Sequence, residues 1–206
     1  MERDIAGALG VDVEEGDLRE HFQREQYRDR AYHHLPEERH GVERGTVVLD
    51  GAVVRGFPSI PRVLVLDPGV PEHFDGPVAI EEKLNGYNVR IARIDGEVFA
   101  FTRGGYVCPY TTWFARDRSL SGFFEAYPEH VLCGELIGPE NPYTTHDYEE
   151  ADSAALRVFD IRHRVSGTPL PVAERYECCE THDLPGVPTF GIHDHDDAAA
   201  EARTVI

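Results

Sequence analysis

The sequence predicts an α+β fold in which antiparallel sheet dominates. Three observations lead there: two strand pairs turn on Asp-Gly dipeptides, short β-branched runs recur along the 206 residues, and helical spacing is confined to brief segments. Residues 1–44 are strongly charged and of mixed helical character, with HFQREQYRDRAYHHL (21–35) as the best helix candidate. RGTVVLDGAVVRGFP (44–58) reads as a hairpin around Asp50-Gly51, and RVLVL (62–66) as a short strand ended by Asp67-Pro68-Gly69. The Pro-rich stretch from Pro68 to Pro77 marks a boundary, which divides the chain into a small β-rich N-terminal domain (1–70) and a second domain (71–206). PVAIEEKL is a strand, and YNVRIARI and EVFAFTR flank Asp95-Gly96 as a second hairpin. SLSGFFEAY (119–127) suits a short helix; HVLCGELIG (130–138) and ALRVFDIR (155–162) are strands joined by the loop PENPYTTHDYEEADS. VAERYECCETH (172–182) has helical spacing, and PTFGIHD adds one more strand.

Composition narrows the class. The longest apolar runs fall far short of the ~20 residues of a membrane span, and the charged N-terminus MERDIAG has no apolar stretch behind it, so no secretory signal is expected. Four cysteines, two of them adjacent, do not make a disulfide scaffold, and a reducing cytoplasm is the expected setting. The 38 acids against 20 bases leave a net charge of −18. Such an acidic surface is expected of a halophilic cytoplasm, where self-repulsion is screened over ~3 Å at 1 M salt.

Of the 20 bases 19 are arginine, and the one lysine is Lys83. Lysine can lose its proton and act as a nucleophile, whereas arginine effectively cannot. Lys83 stands at the corner between the strand PVAIEEKL and the Asn85-Gly86 turn, where a nucleophile is well presented. Around it, residues 83–118 hold six bases and three acids, a positive island in a negative chain that suggests an anionic ligand such as a nucleotide or phosphodiester. An exposed hairpin lysine and an ion-paired sheet face are the plain alternatives to both readings.

KLNG (83–86) resembles the KxDG nucleotidyl-lysine motif of the covalent nucleotidyltransferases, which comprise DNA ligases, RNA ligases and capping enzymes. FTRGGY (101–106), CGELIG (133–138) and RVFDI (157–161) resemble the later motifs in order. RGTVV, EEKLNGYNVRI, FTRGGYVCPYTT, GELIGPENPY and FDIR are more specifically similar to the archaeal ATP-dependent RNA ligase family, over roughly residues 25–206. The resemblance implies a nucleotidyltransferase (ATP-grasp-like ligase adenylation) domain that joins RNA 5′-phosphate and 3′-hydroxyl ends through a lysyl–AMP intermediate, with ATP and Mg²⁺ or Mn²⁺. By the same resemblance Lys83 is the nucleophile. Glu81 lies near the adenine amino group, Asn88 and Arg90 near ribose and phosphate, and Arg103 at the nucleotide phosphate or the RNA 5′-phosphate. Glu135 accepts from the ribose hydroxyls, and Phe159 stacks on adenine.

Asn85 stands where the family usually has aspartate. Two further motifs of the family, a Glu-Gly strand and a strand with paired lysines, have no match, since no lysine follows Lys83. The adenylation domain is therefore expected to be incomplete and impaired by itself. The expected alternatives are a fragment, a truncated gene, or half of a split enzyme whose second polypeptide carries the missing motifs, and the dimerising region of the family is missing as well. The rival readings are a non-catalytic nucleotide- or RNA-binding remnant, half of a split ligase, and, further off, a DNA ligase or capping guanylyltransferase. The GYNVR continuation argues against the DNA ligase. HDHDD (193–197), or Cys178-Cys179 with His182, is a poor match to zinc-site spacing.

Overall fold

The computed structural model describes residues 5–12, 14–118, 120–144, 146, 148–149 and 151–205. Ser119, Thr145, Asp147 and Glu150, which fall in the predicted helix 119–127 and the predicted loop, lie outside the described residues, as do residues 1–4 of the N-terminal stretch. The elements in order are α1 (Ile5–Leu9), α2 (Glu15–Arg19), β1 (Gln23–Tyr27), β2 (Arg30–His34), β3 (Val47–Leu49), β4 (Ala52–Val54), α3 (Leu66–His73), β5 (Val78–Glu81), β6 (Tyr87–Ile94), β7 (Glu97–Thr102), α4 (Pro109–Asp117), α5 (Ser121–Ala126), β8 (His130–Ile137), β9 (Ala155–His163), α6 (Val172–Thr181), β10 (Thr189–His193) and α7 (His195–Val205). The fold is α+β and all strand pairing is antiparallel among the described residues. No helix among them is long and apolar enough to cross a membrane.

The chain forms two units, residues 1–58 with 85–185, and residues 59–84 with 186–206. The first holds two four-stranded sheets, β1-β2-β3-β4 and β7-β6-β8-β9. Strand alternation sorts their side chains into layers. Val89, Ile91, Leu132 and Leu136 face Phe114, Phe123, Phe124, Cys178 and Cys179 of α4, α5 and α6. On the other face of that sheet Ala92, Ile94, Phe99, Phe101 and Cys133 meet Tyr32, Val47, Leu49 and Val54 of the N-terminal sheet. Leu18, Leu35 and Val53 continue the core to α1 and α2. The second unit is the β5–β10 pair with α3 and α7 around Val70, Val78, Ala198 and Ala199.

Three expectations are corrected here. The expected small β-rich N-terminal region forms as β1–β4, but the division falls after residue 58 and not at 70, and its sheet shares one core with the central sheet. Residues 21–35 form the β1–β2 hairpin instead of a helix: Arg28 takes a left-handed φ of 56° at the turn, and Tyr32 and His34 alternate into the core. RVLVL is not a strand. Leu64 is 94% exposed, the segment pairs with no strand among the described residues, and α3 begins at Leu66. The hairpins at Asp50-Gly51 and Asp95-Gly96 form as expected, with φ of 50° and 75° and of 49° and 81°, the double left-handed turn that suits the strand twist.

One side chain fastens the two sheets of the first unit. Arg90, in the middle of β6, is fully buried; it donates to the carbonyls of Arg55 (2.6 Å), Gly45 (2.7 Å) and Thr102 (3.1 Å). Removing it would orphan three carbonyls and open a cavity. Arg90→Met is expected to lower stability by about 3 kcal/mol or more, read from urea unfolding followed by circular dichroism. A loss below about 1 kcal/mol would contradict the clamp.

Candidate functional site

The first unit groups four of the seven expected residues on one sheet face. Asn88 and Arg90 lie on β6 with their side chains on the face turned toward the N-terminal sheet. The antiparallel register sets Asn88 opposite Glu135 and Arg90 opposite Cys133 on β8. Phe159 reaches the same face through an irregularity in β9: Cys133 pairs with Asp160 and Gly134 with Val158, so Phe159 is the extra residue of a bulge. Its half-buried ring packs edge-on against Phe57 at 5.3 Å, and the side chain of buried Arg175 donates to its carbonyl. Arg103 lies apart from the other four, exposed in the turn after β7.

The segment that follows Lys83 is built into this unit by close approach. A Cβ on Gly86 would sit 2.1 Å from the Leu136 carbonyl oxygen, so only glycine lets β6 begin against β8 here. The Gly86 amide donates to Glu135 Oε1 at 3.0 Å. Asn85 is latched from the other side: its amide donates to the Tyr148 hydroxyl at 2.6 Å, and its side-chain nitrogen lies 2.6 Å from His146 Nε2. The loop that supplies those residues is organised by Asn141. That buried side chain donates to the Leu136 carbonyl (2.7 Å) and the Thr144 hydroxyl and accepts from the amides of Tyr143 and Thr144. The sequence signals the loop only as a turn-rich GPENPY, and nothing in it marks Asn141, Tyr148 or Arg175.

The second unit holds the other two. Glu81 ends β5 opposite Thr189 of β10, and the Glu82 amide extends that pairing to the Pro188 carbonyl at 2.9 Å. Lys83 is exposed and belongs to no strand, beyond the last residue of β5.

Electrostatics separates these groups by job. Burial pulls the Arg90 guanidinium down to about 10, and it pushes the Cys133 thiol up to about 12, with Asp160 adding to the rise. Both terminal nitrogens of Arg90 donate to backbone carbonyls inside the sheet sandwich, a scaffold's contacts, while its buried Nε has no partner among the described residues. Asn88 Oδ1 is different: it is buried and has no hydrogen-bond partner among the described residues, beside Glu135. A buried orphan acceptor is costly unless a ligand donor completes it.

No cluster of three or more metal-ligating side chains occurs among the described residues. Cys178 and Cys179 are core residues of α6, and HDHDD runs from the end of β10 into the first turn of α7, where the Asp194 carbonyl accepts from the amides of Asp197 and Ala198.

The approach at Gly86 is directly testable. Gly86→Ala should lower stability by about 2–4 kcal/mol and the melting temperature by several degrees. Gly76→Ala, where a Cβ meets nothing within 4 Å, should change it little. Equal melting temperatures in a differential scanning comparison would contradict the close approach.

Comparison with known proteins agrees with this architecture. The RNA ligase family model matches residues 76–205. The uncharacterized protein MJ0414 of Methanocaldococcus jannaschii is 40% identical over 98% of this chain and 54% of its own length. An archaeal ATP-dependent RNA ligase has a solved structure that superposes with a TM-score of 0.90 at 40% identity, covering 98% of this chain and 56% of that one. A putative ATP-dependent DNA ligase from Aquifex aeolicus gives 0.83 at 28% identity, over 93% of this chain and 53% of that one. An RNA ligase of Naegleria gruberi solved with ATP and Mn, 18% identical, shares the fold at 0.52 over 64% of this chain and 41% of that one. The chain spans about half the length of these longer relatives. On the extent of the family match and of the similarity, the chain belongs to the RNA ligase family.

Proposed function

We propose that this chain is the nucleotidyl-transfer portion of an ATP-dependent RNA ligase, and that Lys83 is its nucleophile. The observation that carries the reading is the setting of the chain's single lysine. It is exposed, and it stands one residue, Leu84, before the Asn85-Gly86 turn, whose Gly86 amide donates to Glu135.

The chemistry follows from the residue types. The neutral Lys83 amine attacks the α-phosphorus of ATP; a P–N bond forms, the bond to pyrophosphate breaks, and the ammonium proton passes to solvent. A terminal RNA phosphate oxygen then displaces the lysine, and a 3′-hydroxyl displaces AMP to seal the strand. Glu81 would accept from the adenine amino group, Phe159 would stack on the ring, and Glu135 would accept from the ribose hydroxyls. Asn88, with its unpaired buried acceptor, fits a ligand donor beside Glu135. Arg103, exposed, suits a phosphate. Arg90 contributes by holding β6, and so Asn88, in register.

Mg²⁺ or Mn²⁺ would be carried in largely by the triphosphate, as Mg²⁺ commonly is in phosphoryl-transfer sites, and when bound it supplies charge neutralisation at the phosphates. RNA is the proposed substrate. Strand joining draws on residues that the longer relatives carry beyond the part matched here, in the same polypeptide or a second one.

Incubation with α-labelled ATP and Mg²⁺ or Mn²⁺ should yield an acid-labile AMP adduct on Lys83. Lys83→Arg should lower it more than about 1000-fold, because a guanidinium cannot replace the amine. A label that survives in Lys83→Arg overturns the assignment. Binding of ATP with no adduct, even when the remaining segment is supplied, favours the non-catalytic reading.

A further inference from the structure

Two glycine-bearing turns of the first unit are interlocked backbone against backbone. One is Arg44-Gly45, between β2 and β3; the other is Arg103-Gly104-Gly105-Tyr106, after β7. Gly45 has φ of 83°, and a Cβ on it would lie 2.2 Å from the Arg103 carbonyl oxygen. Gly105 has φ of 87°, and its Cβ would lie 2.8 Å from the Gly45 oxygen and 2.9 Å from the His34 Cβ. Buried Arg90 donates to the Gly45 and Thr102 carbonyls, one from each side of the seam. The seam is therefore closely packed, with room for glycine alone at positions 45 and 105.

What it presents outward is cationic and aromatic. A Cβ on Gly104 would be 3.7 Å from Arg44 Nη2 and 3.4 and 3.5 Å from Cδ2 and Cε2 of Tyr106, so guanidinium and ring flank one point on the backbone. The Tyr106 ring rests on buried His34 at 4.3 Å, His34 Nδ1 lies 2.9 Å from the Gly104 carbonyl, and yet Tyr106 remains 47% exposed. Arg44 and Arg103 are exposed, and neither has an acidic partner among the described residues. Elsewhere in this acidic chain Arg30, Arg39, Arg55, Arg116, Arg162 and Arg164 are ion-paired. Glu43, the acid next to Arg44, is committed to Arg55 at 2.5 Å, and Glu25 faces His34 Nε2 at 3.9 Å.

We propose that Arg44, Arg103 and Tyr106 form a binding rim for single-stranded RNA, with a backbone phosphate on the guanidinium groups and the adjoining base on the open face of Tyr106. A planar fork suits phosphate oxygens, and a ring held from behind loses little freedom when a base stacks on it. The proposal rests on the RNA ligase reading for its choice of nucleic acid, but it assigns Arg44 and Tyr106, which that reading leaves without a role. The base-plus-phosphate chemistry could also serve ATP, and the test separates the two.

A fluorescently labelled single-stranded RNA 12-mer is titrated with the 206-residue chain in the absence of ATP, across a series of KCl concentrations, and followed by anisotropy. Arg44→Ala should weaken binding and flatten the slope of log affinity against log salt by about 0.7, one phosphate contact on a single strand. Arg44→Lys should keep most of that slope. Tyr106→Ala should weaken binding by about 5- to 100-fold, while Tyr106→Phe should retain it. Arg28→Ala removes the same charge from the β1–β2 turn and should leave the slope unchanged. An unchanged affinity and slope in Arg44→Ala overturns the proposal, as does a wild-type chain that binds no RNA at low salt. Loss of ATP binding with RNA binding intact overturns it in favour of the nucleotide. None of these results depends on whether Lys83 accepts AMP, so a failure here is distinct from a failure of the ligase reading.

Discussion

The guanidinium of Arg90 carries its charge inside a sheet sandwich, and the first unit is arranged to accommodate it. Burial favours the neutral form and draws its pKa down to about 10, while three backbone carbonyls supply the acceptors that water would otherwise provide. Those carbonyls belong to Gly45, Arg55 and Thr102, from three separate stretches of chain. A buried cation whose two terminal nitrogens reach these three carbonyls ties together the N-terminal sheet, its exit toward Phe57, and the end of β7.

From that constraint the site-bearing features follow in order. With β6 held, its alternation turns Asn88 to the same face as Arg90, and the register with β8 brings Glu135 opposite. The fixed seam sets Gly45 against the Arg103 backbone, where only glycine fits. Phe57, two residues beyond the clamped Arg55 carbonyl, provides the edge on which Phe159 rests. At the other end of β6, Gly86 closes on Leu136 and hands its amide to Glu135, and the Asn141-organised loop covers Asn85 through Tyr148 and His146. One scaffold thus serves an ordered carboxylate, an unpaired buried amide oxygen and a bulged aromatic ring.

Much of this was legible from residue order and some was not, for identifiable reasons. The β3–β4 and β6–β7 hairpins were readable because Asp-Gly turns announce left-handed backbone. The β1–β2 hairpin was hidden because its turn uses Arg28-Asp29 and its strands carry polar residues at helix-like spacing. Helix α4 starts from Cys108 and Pro109 without a side-chain cap, and α7 grows from an acidic run that reads as a loop. In the site, the residue types of Glu135 and Phe159 were visible, but the bulge that turns Phe159 inward and the register that pairs Asn88 with Glu135 arise from strands far apart in sequence. The resemblance sets Arg90 near ribose and phosphate, and its contacts to backbone carbonyls depend on stretches of chain far apart in sequence. Arg44 is singled out by the approach of its guanidinium to Gly104, from a turn far away in sequence.

The proposed function makes Phe159 the stacking partner of adenine and Lys83 the acceptor of AMP. A crystal structure of the chain with ATP, or with AMP on the lysine, tests it most directly. The account predicts the adenine ring within about 4.5–7 Å of the Phe159 ring, Glu135 at the ribose, and Lys83 Nζ at the α-phosphorus. Adenine bound away from Phe159, or an α-phosphorus out of reach of Lys83 with nucleotide in place, would contradict it.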